Sequence, residues 1–237
     1  MNMSHWKQQV QGWARRFGFD IFYFDRIRLM NFHGIKTVLD VGANVGQFGA
    51  ETRSYGFKGD LISFEPLSRA FADLKHRAST DARWRVFNYA LGDRDGTAEI
   101  NVSANSMSSS LLAMRSEHVK AAPEAGYVGS EQIRLHRLDT VIRDIADPDH
   151  AGPLLLKLDT QGSEYAVLQG AQETLPRIAG LQVEMSLSPL YEGEKLFEEM
   201  VPYICSLGFS LVSIEPVLRS KDSGKLLAVD GIFYRPS

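Results

Sequence analysis

The segment LDVGANVGQFG, Leu39–Gly49, is the part of the sequence that most clearly indicates the fold. It contains the end of an apolar run, a turn with glycines at positions 42 and 46, and the start of a helical pattern. This order is typical of the first unit of a Rossmann-like α/β sheet, in which the turn lies against a nucleotide-containing ligand. A dinucleotide fingerprint, G-x-G-x-x-G, requires further glycines where this chain has Asn44 and Gln47. The turn is therefore not expected to bind a bridging diphosphate.

The pattern D-x-G-x-N-x-G, Asp40–Gly46, fits S-adenosylmethionine, an adenosine ligand whose amino-acid end lies over the turn. We expect Gly42 and Gly46 to permit a tight turn and close approach of the ligand. The Asn44 amide is expected to supply polar contacts. Asp40, at the end of the strand, is expected to orient the ammonium group of the ligand directly or through water.

Glu65 provides a second indication of an adenosine ligand. It stands at the carboxyl end of the next predicted strand, DLISFEP, which Pro66 terminates. A carboxylate at this point accepts hydrogen bonds from both ribose hydroxyls. Because NAD and S-adenosylmethionine share this contact, Glu65 does not indicate which of the two ligands binds.

Predicted strands and helices alternate from Thr37 onward, which favours crossover helices and a parallel sheet. The last two predicted strands, SLVSIEPVL and LLAVDGIFYR, are separated only by RSKDSGK, so they are expected to form an antiparallel hairpin. A mostly parallel sheet with a C-terminal antiparallel hairpin, and helices on both faces, is the α/β architecture of Rossmann-like methyltransferases.

Residues 1–34 are predicted to form a helical extension, and residues 35–237 the methyltransferase domain. Trp6, Val10, Trp13 and Phe17 recur at helical spacing, and the aromatic segment Phe19–Phe32 is a second predicted helix. The extension either packs on the edge of the domain or serves as a lid or the surface of a homodimer.

Composition excludes several classes of protein. The net charge is −3 with no block of like charge, so the basic footprint of a nucleic-acid binder is missing. The sequence shows no signal peptide and no run of ~20 apolar residues, so no membrane association and a cytoplasmic location are expected. Cys205 is the single cysteine and is expected to be an inert thiol in the core.

An ordered series of motifs between about Thr37 and Arg235 resembles the FkbM family of methyltransferases. The motifs are LDVGANVG, ISFEP, NYALGDRDG, SSSLL, RLDTVI, LLKLDTQGSEYAVLQGA and VEMSLSPLYEG. The resemblance implies a class I fold, S-adenosylmethionine, and methylation of a hydroxyl, often on a sugar or a polyketide-derived natural product. Gln161, in DTQG, stands where the family often has glutamate, which removes the acid or metal ligand of that position. The cofactor residues expected from motif and resemblance together are Asp40, Gly42, Ala43, Asn44, Gly46, Glu65, Pro66 and Ser109, with Asn88, Ala90 and Leu91 near the adenine.

The methyl-transfer site is predicted where the first and fourth parallel strands end. Asp159 ends the fourth strand, Lys157 lies on the same face as its charge partner, and Glu184 adds a carboxylate from the adjacent strand. Asp159 is interpreted as the base for an acceptor hydroxyl, or as a ligand of a divalent metal such as magnesium. The alternative is a cap on the following helix that satisfies the amides of Gly162 and Ser163, and the two roles are compatible.

Two further features bear on the site. His136 is a rival base, but the alternation in RLHRL turns it outward, and the histidines lack the spacing of a zinc site. The long segment Ser103–Ser130 is either a solvated linker or a lid, in which Ser108, Ser109 and Ser110 contact cofactor or acceptor.

The sequence therefore favours an O-methyltransferase that acts on a small hydroxylated metabolite. The alternatives are a protein that binds S-adenosylmethionine without turnover and a methyltransferase for nitrogen or nucleic acid. DTQG lacks the D/N-P-P-Y/F pattern that amino methylation of bases uses, and Cys205 lies in a predicted helix rather than a loop.

Overall fold

In the computed structural model, the described residues are 26–146 and 152–236, together with Trp13 and Arg16. Trp13 and Arg16 are helical, and the rest of the predicted helix around them lies outside the described residues. Of the predicted helix Phe19–Phe32, the described part begins at Arg26 and forms α1, Arg26–Phe32.

The main sheet has seven strands within the described residues, in the order β3-β2-β1-β7-β8-β10-β9. The first five are mutually parallel, whereas β10 lies antiparallel to both β8 and β9. This confirms the Rossmann-like methyltransferase fold with its C-terminal antiparallel hairpin. The strands are β1 (Thr37–Val41), β2 (Asp60–Phe64), β3 (Trp84–Phe87), β7 (Leu154–Leu158), β8 (Ile178–Ser186), β9 (Ser210–Arg219) and β10 (Leu226–Tyr234).

Helices cover both faces of this sheet. One apolar cluster joins Met30 and Leu74 to Val38 of β1, and another joins Leu138 and Ile204 to the next residue of the strand, Leu39. Because successive side chains of a strand point to opposite faces, the two clusters are the two halves of the core. The helices after α1 are α2 (Gln47–Ser54), α3 (Ser68–Ala78), α4 (Ser116–Ala121), α5 (Leu138–Ile145), α6 (Glu164–Gln169) and α7 (Phe197–Ser206).

The apolar run WRVFNYAL, residues 84–91, is predicted from the sequence to be one strand, but the structure divides it in two. The main-sheet strand ends at Phe87, and β4 (Ala90–Leu91) pairs instead with β6 in a second sheet of order β4-β6-β5. The other strands of this sheet are β5 (Gly96–Ser103) and β6 (Tyr127–His136). The predicted loop Ser103–Ser130 is also more ordered than expected, because it contains α4 and a 3-10 turn and ends in β6.

Cys205 lies on a helix as predicted, but its side chain is exposed, so the expectation of a core thiol is wrong. The helix buries the neighbouring Ile204 instead. Among the helices that the structure describes, none combines the length and the apolar character that a membrane-spanning segment requires.

Candidate active site

A cavity of about 670 Å³ opens at the carboxyl ends of the parallel strands, where the strand order reverses between β1 and β7. This volume is in the range of small-molecule sites. Of the predicted site residues, those that line it are Gly42, Ala43, Asn44, Glu65, Pro66, Ala90, Leu91, Ser109, Lys157, Asp159 and Glu184. Asp40, Gly46 and Asn88 do not.

The glycine turn is shaped by close backbone contact. A Cβ atom on Gly42 would lie 1.8 Å from the carbonyl oxygen of Asp159, so glycine is required where the turns after β1 and β7 meet. Asn44 has φ 48°, a left-handed conformation that asparagine tolerates better than most residues. Its side-chain Oδ1 accepts a hydrogen bond from the Val45 amide at 2.7 Å, and its Nδ2 donates to Ser106 Oγ at 3.1 Å.

Gly46 does not provide close approach to a ligand. A Cβ atom there would meet Leu74 Cδ1 at 2.8 Å and the Trp84 ring at 3.1 Å, and φ is 84°. The residue is glycine because the start of α2 packs tightly against α3 and β3.

Asp40 lies beneath the cavity rather than in its wall. Its side chain is fully buried, its Oδ2 accepts a hydrogen bond from Ser63 Oγ at 3.0 Å, and its Oδ1 lies 3.3 Å from Lys157 Nζ. The carboxylate therefore holds Lys157, and the expected direct contact with the ligand ammonium is not available in this arrangement.

Asn88 shapes the chain instead of the adenine region. Its Nδ2 donates to the carbonyl oxygens of Glu65 at 3.0 Å and Pro66 at 2.9 Å. These bonds fix the segment after β2, and Ala90 and Leu91 reach the cavity beyond it.

Glu65 is held by two backbone amides. Its Oε2 accepts a hydrogen bond from the Asn44 amide at 2.8 Å, and its Oε1 accepts one from the Leu67 amide at 2.9 Å. Burial raises the pKa of Glu65 to about 7, although these hydrogen bonds favour the ionised form. The carboxylate is thus oriented in the cavity wall before any ligand binds.

Lys157 joins the carboxylates of two strands. Its Nζ lies 3.3 Å from Asp159 Oδ2, 3.3 Å from Asp40 Oδ1, and donates to the Gly42 carbonyl oxygen at 3.3 Å. Burial alone would lower the pKa of Lys157, but the charges of Asp159 and Asp40 outweigh it and raise the pKa. The lysine stays protonated, and the predicted Lys157–Asp159 pairing is present.

The pKa values of Asp159 and Glu184 are shifted in opposite directions. Burial opposes ionisation of Asp159, but the Lys157 charge and hydrogen bonds from Glu184, Gln161 and Lys157 lower its pKa. Burial and then the Asp159 charge raise the pKa of Glu184 well above its usual value. The lowered pKa favours an ionised Asp159, 38% of whose side chain is still exposed, and the raised pKa favours the protonated form of Glu184.

Gln161 bridges these two acids. Its Nε2 donates to Asp159 Oδ1 at 2.8 Å and to Glu184 Oε2 at 2.6 Å, and its Oε1 accepts a hydrogen bond from the Tyr191 hydroxyl at 2.6 Å. Its φ of 55° places the side chain between them. A divalent cation would require oxygen ligands in the space that the amide protons occupy. Within the described residues, no group of three or more His, Cys, Asp and Glu side chains is arranged to hold a metal ion.

The helix-cap alternative for Asp159 is wrong for Gly162. The Gly162 amide donates to the Glu164 carboxylate at 3.1 Å, and the Thr160 amide donates to the same carboxylate at 2.7 Å. Burial raises the pKa of Glu164 to about 7. Because Glu164 satisfies these amides, Asp159 is free to face the cavity.

The segment between β5 and β6 covers one side of the cavity. Ser108 and Ser109 line it, whereas Ser110 is buried and donates to the Gln161 carbonyl oxygen at 2.6 Å. From α4, His118 also lines the cavity, and its ring stacks edge-on against Tyr191 at 5.1 Å.

Several cavity residues were not among the predicted site residues. They are Arg26, Phe48, His118, Gln182, Tyr191 and Asp230. Of these, Phe48 lies in the segment Leu39–Gly49 and Tyr191 in the motif VEMSLSPLYEG. Gln182 alternates with Glu184 and Ser186 along β8, which is the signal that could have found it, whereas Asp230 is the single acid in the apolar strand β10. His136 does not line the cavity and lies 3.3 Å from Asp95 Oδ1.

The sheet order and the cavity at the switch point define the chain as a Rossmann-like methyltransferase. Comparison with known families gives a match to the methyltransferase FkbM domain over residues 40–211, and the chain belongs to this family. A relative, the 2-O-methyltransferase NoeI of Sinorhizobium fredii, is 26% identical over 163 residues, which cover 66% of this chain and 66% of NoeI.

Solved structures resemble the chain more distantly. An rRNA methylase from Streptococcus thermophilus has a TM-score of 0.48 and 12% identity, with 92% of this chain and 99% of that chain covered. TehB from Haemophilus influenzae has a TM-score of 0.48 and 9% identity, with 94% of this chain and 65% of that chain covered. At these TM-scores neither structure bears on function.

Proposed function

We propose that the protein is an S-adenosylmethionine-dependent O-methyltransferase acting on a hydroxyl of a small metabolite, such as a sugar or a glycosylated or polyketide-derived compound. The observation that carries the proposal is the ionised, partly exposed carboxylate of Asp159 in the cavity wall. The family, and NoeI as a relative named for O-methylation, support the same reaction.

The cavity suits S-adenosylmethionine on one side of Asp159. Glu65 presents a fixed carboxylate for the ribose hydroxyls, and the turn around Gly42 and Asn44 leaves room for a ligand without a diphosphate. Ala90 and Leu91 offer an apolar wall for the adenine. When bound, S-adenosylmethionine supplies an electrophilic methyl group on a sulfonium centre.

Asp159 acts on the acceptor. A neutral hydroxyl is a poor nucleophile. Its proton must leave as the bond from oxygen to the methyl carbon forms and the bond from that carbon to sulfur breaks, which releases S-adenosylhomocysteine. Asp159 accepts that proton, while Lys157 keeps the carboxylate ionised until the acceptor arrives. Glu184 accepts a hydrogen bond from Gln161, and its raised pKa favours the protonated form, so we assign the role of base to Asp159.

The test is transfer from S-adenosylmethionine labelled with ¹³C in its methyl group. The purified protein is incubated with methyl glycosides, phenols, primary amines, RNA and DNA in parallel, and S-adenosylhomocysteine is measured by mass spectrometry. NMR spectroscopy of the product should show the labelled methyl bonded to oxygen. Transfer only to nitrogen or to nucleic acid would contradict the proposal.

A further inference from the structure

Three acidic side chains form a row across the floor of the cavity. The register pairs Lys157 with Gln182 and Leu158 with Val183, so Asp159 continues opposite Glu184, and Glu184 pairs in turn with Asp230. All three acids line the cavity. Since neighbouring strands lie roughly 4.8 Å apart, the row spans roughly 10 Å.

Asp230 has fewer hydrogen-bond partners than Asp159. Asp159 is bound by Lys157 and Gln161, and Glu184 is bound by Gln161. Asp230 accepts one hydrogen bond, from Gln182 Nε2 to Oδ2 at 2.8 Å. Its Oδ1 has no hydrogen-bond donor among the described residues and is not one of the buried unpaired atoms.

The charge of Asp230 is maintained despite its position. Burial and then the charge of Asp159 raise its pKa to about 6, with Lys157 acting in the opposite direction and Glu215 adding a small repulsion. The carboxylate is therefore mostly ionised at neutral pH. Because Asp230 lines the cavity and its Oδ1 has no donor among the described residues, this oxygen is available to accept a hydrogen bond from a molecule bound there.

We propose that Asp230 is an acceptor-binding residue whose Oδ1 accepts a hydrogen bond from a second hydroxyl of the acceptor while the first lies at Asp159. The site then selects polyhydroxylated rings over lone alcohols and phenols, and Asp230 determines which hydroxyl is methylated. This proposal rests on the proposed O-methyl transfer and assigns its acceptor a second point of attachment. Gln182 orients the carboxylate through Oδ2.

The experiment compares methyl glycosides with their deoxy derivatives, each lacking one hydroxyl. In the wild type, removing the hydroxyl that Asp230 binds should raise KM about 10–100-fold, the usual effect of a hydrogen bond to a charged group. Asp230→Asn should raise KM for the parent glycoside by a similar factor, with kcat within about threefold. With the deoxy compound, the same variant should raise KM little further, because the hydrogen bond to Asp230 is already missing.

Glu215→Gln is the matched control. Glu215 pairs with Asp230 in the strand register and also carries a charge, but it does not line the cavity, so its KM should match the wild type. Thermal unfolding with and without S-adenosylmethionine establishes whether the variants fold. If Asp230→Asn does not fold, the wild-type deoxy series still tests whether the acceptor is bound through a second hydroxyl.

Several results would overturn the assignment of Asp230. These are equal wild-type KM values across the deoxy series, equal losses by Asp230→Asn on parent and deoxy compounds, or methylation of phenols but of no glycoside. In each case O-methyl transfer itself still stands. Failure to methylate any hydroxyl compound would instead refute the proposed function.

Discussion

Lowering the pH from 8 to 6 should weaken S-adenosylmethionine binding about tenfold, because Glu65 loses its charge in this range. In the free protein, burial raises the pKa of Glu65 to about 7. Ribose hydroxyls donate hydrogen bonds most strongly to the ionised carboxylate, so binding lowers this pKa. The affinity is therefore highest above pH 7 and falls as the pH drops through 7. At pH 6, Glu65 is protonated in roughly nine-tenths of the free protein.

Glu65→Gln isolates this contribution. Hydrogen bonds to a charged group contribute about 1.5–3 kcal/mol, so the variant should bind S-adenosylmethionine about 10–100-fold more weakly at pH 8. Its affinity should also change little with pH. Glutamine has a single carbonyl oxygen, whereas the amides of Asn44 and Leu67 both donate to Glu65, so a lower melting temperature is expected too.

Isothermal titration calorimetry at pH 6, 7 and 8 makes the comparison. Glu164 and Asp230 also line the cavity, with pKa values raised to about 7 and about 6. The decisive quantity is therefore the difference in pH dependence between the wild type and Glu65→Gln. A wild-type affinity constant that changes less than twofold from pH 6 to 8, or an identical pH dependence in both proteins, would show that the charge of Glu65 does not contribute to binding.

Three further predictions concern the rest of the site. Gln161→Glu replaces the amide that bridges Asp159 and Glu184 with a third carboxyl, so it should raise the pKa of Asp159. The acidic limb of the kcat–pH profile should then move upward by about 1–2 pH units. An unchanged acidic limb would argue against the bridge. Incubation with EDTA should leave activity unchanged, and loss of activity restored by magnesium would show that Asp159 and Glu184 bind a metal after all. Protease cleavage within residues 104–126 should slow when cofactor and acceptor are both bound. Equal cleavage rates would show that this segment is a surface segment that does not close over the bound ligands.

Much of the fold was predictable because strand and helix periodicities are local. The buried strands β1 and β7 are short apolar runs, and the seven-residue connection between the last two strands excluded a crossover helix. The division of WRVFNYAL was not predictable, since it depends on hydrogen bonds from Asn88 to the chain after β2. The helix α4 was also not predictable, because its residues resemble a polar loop.

The site was predictable where a residue ends a parallel strand, as Glu65 and Asp159 do. Roles that depend on contacts across the fold were not predictable from the sequence. Asp40 has the expected position in the turn motif, yet it is turned under the cavity by Lys157 and Ser63. Asp230 lies opposite Glu184 only because β10 inserts between β8 and β9, and no sequence pattern determines that register.

The most direct test of the account is the turnover of Asp159→Asn. The variant keeps the shape of the side chain but does not accept the hydroxyl proton, so kcat should fall about 10²–10⁴-fold. The dissociation constant of S-adenosylmethionine should stay close to the wild-type value, and Asp93→Asn, an exposed aspartate outside the cavity, should retain full activity. If Asp159→Asn turns over within about threefold of the wild type, Asp159 is not the base and the proposed mechanism is wrong.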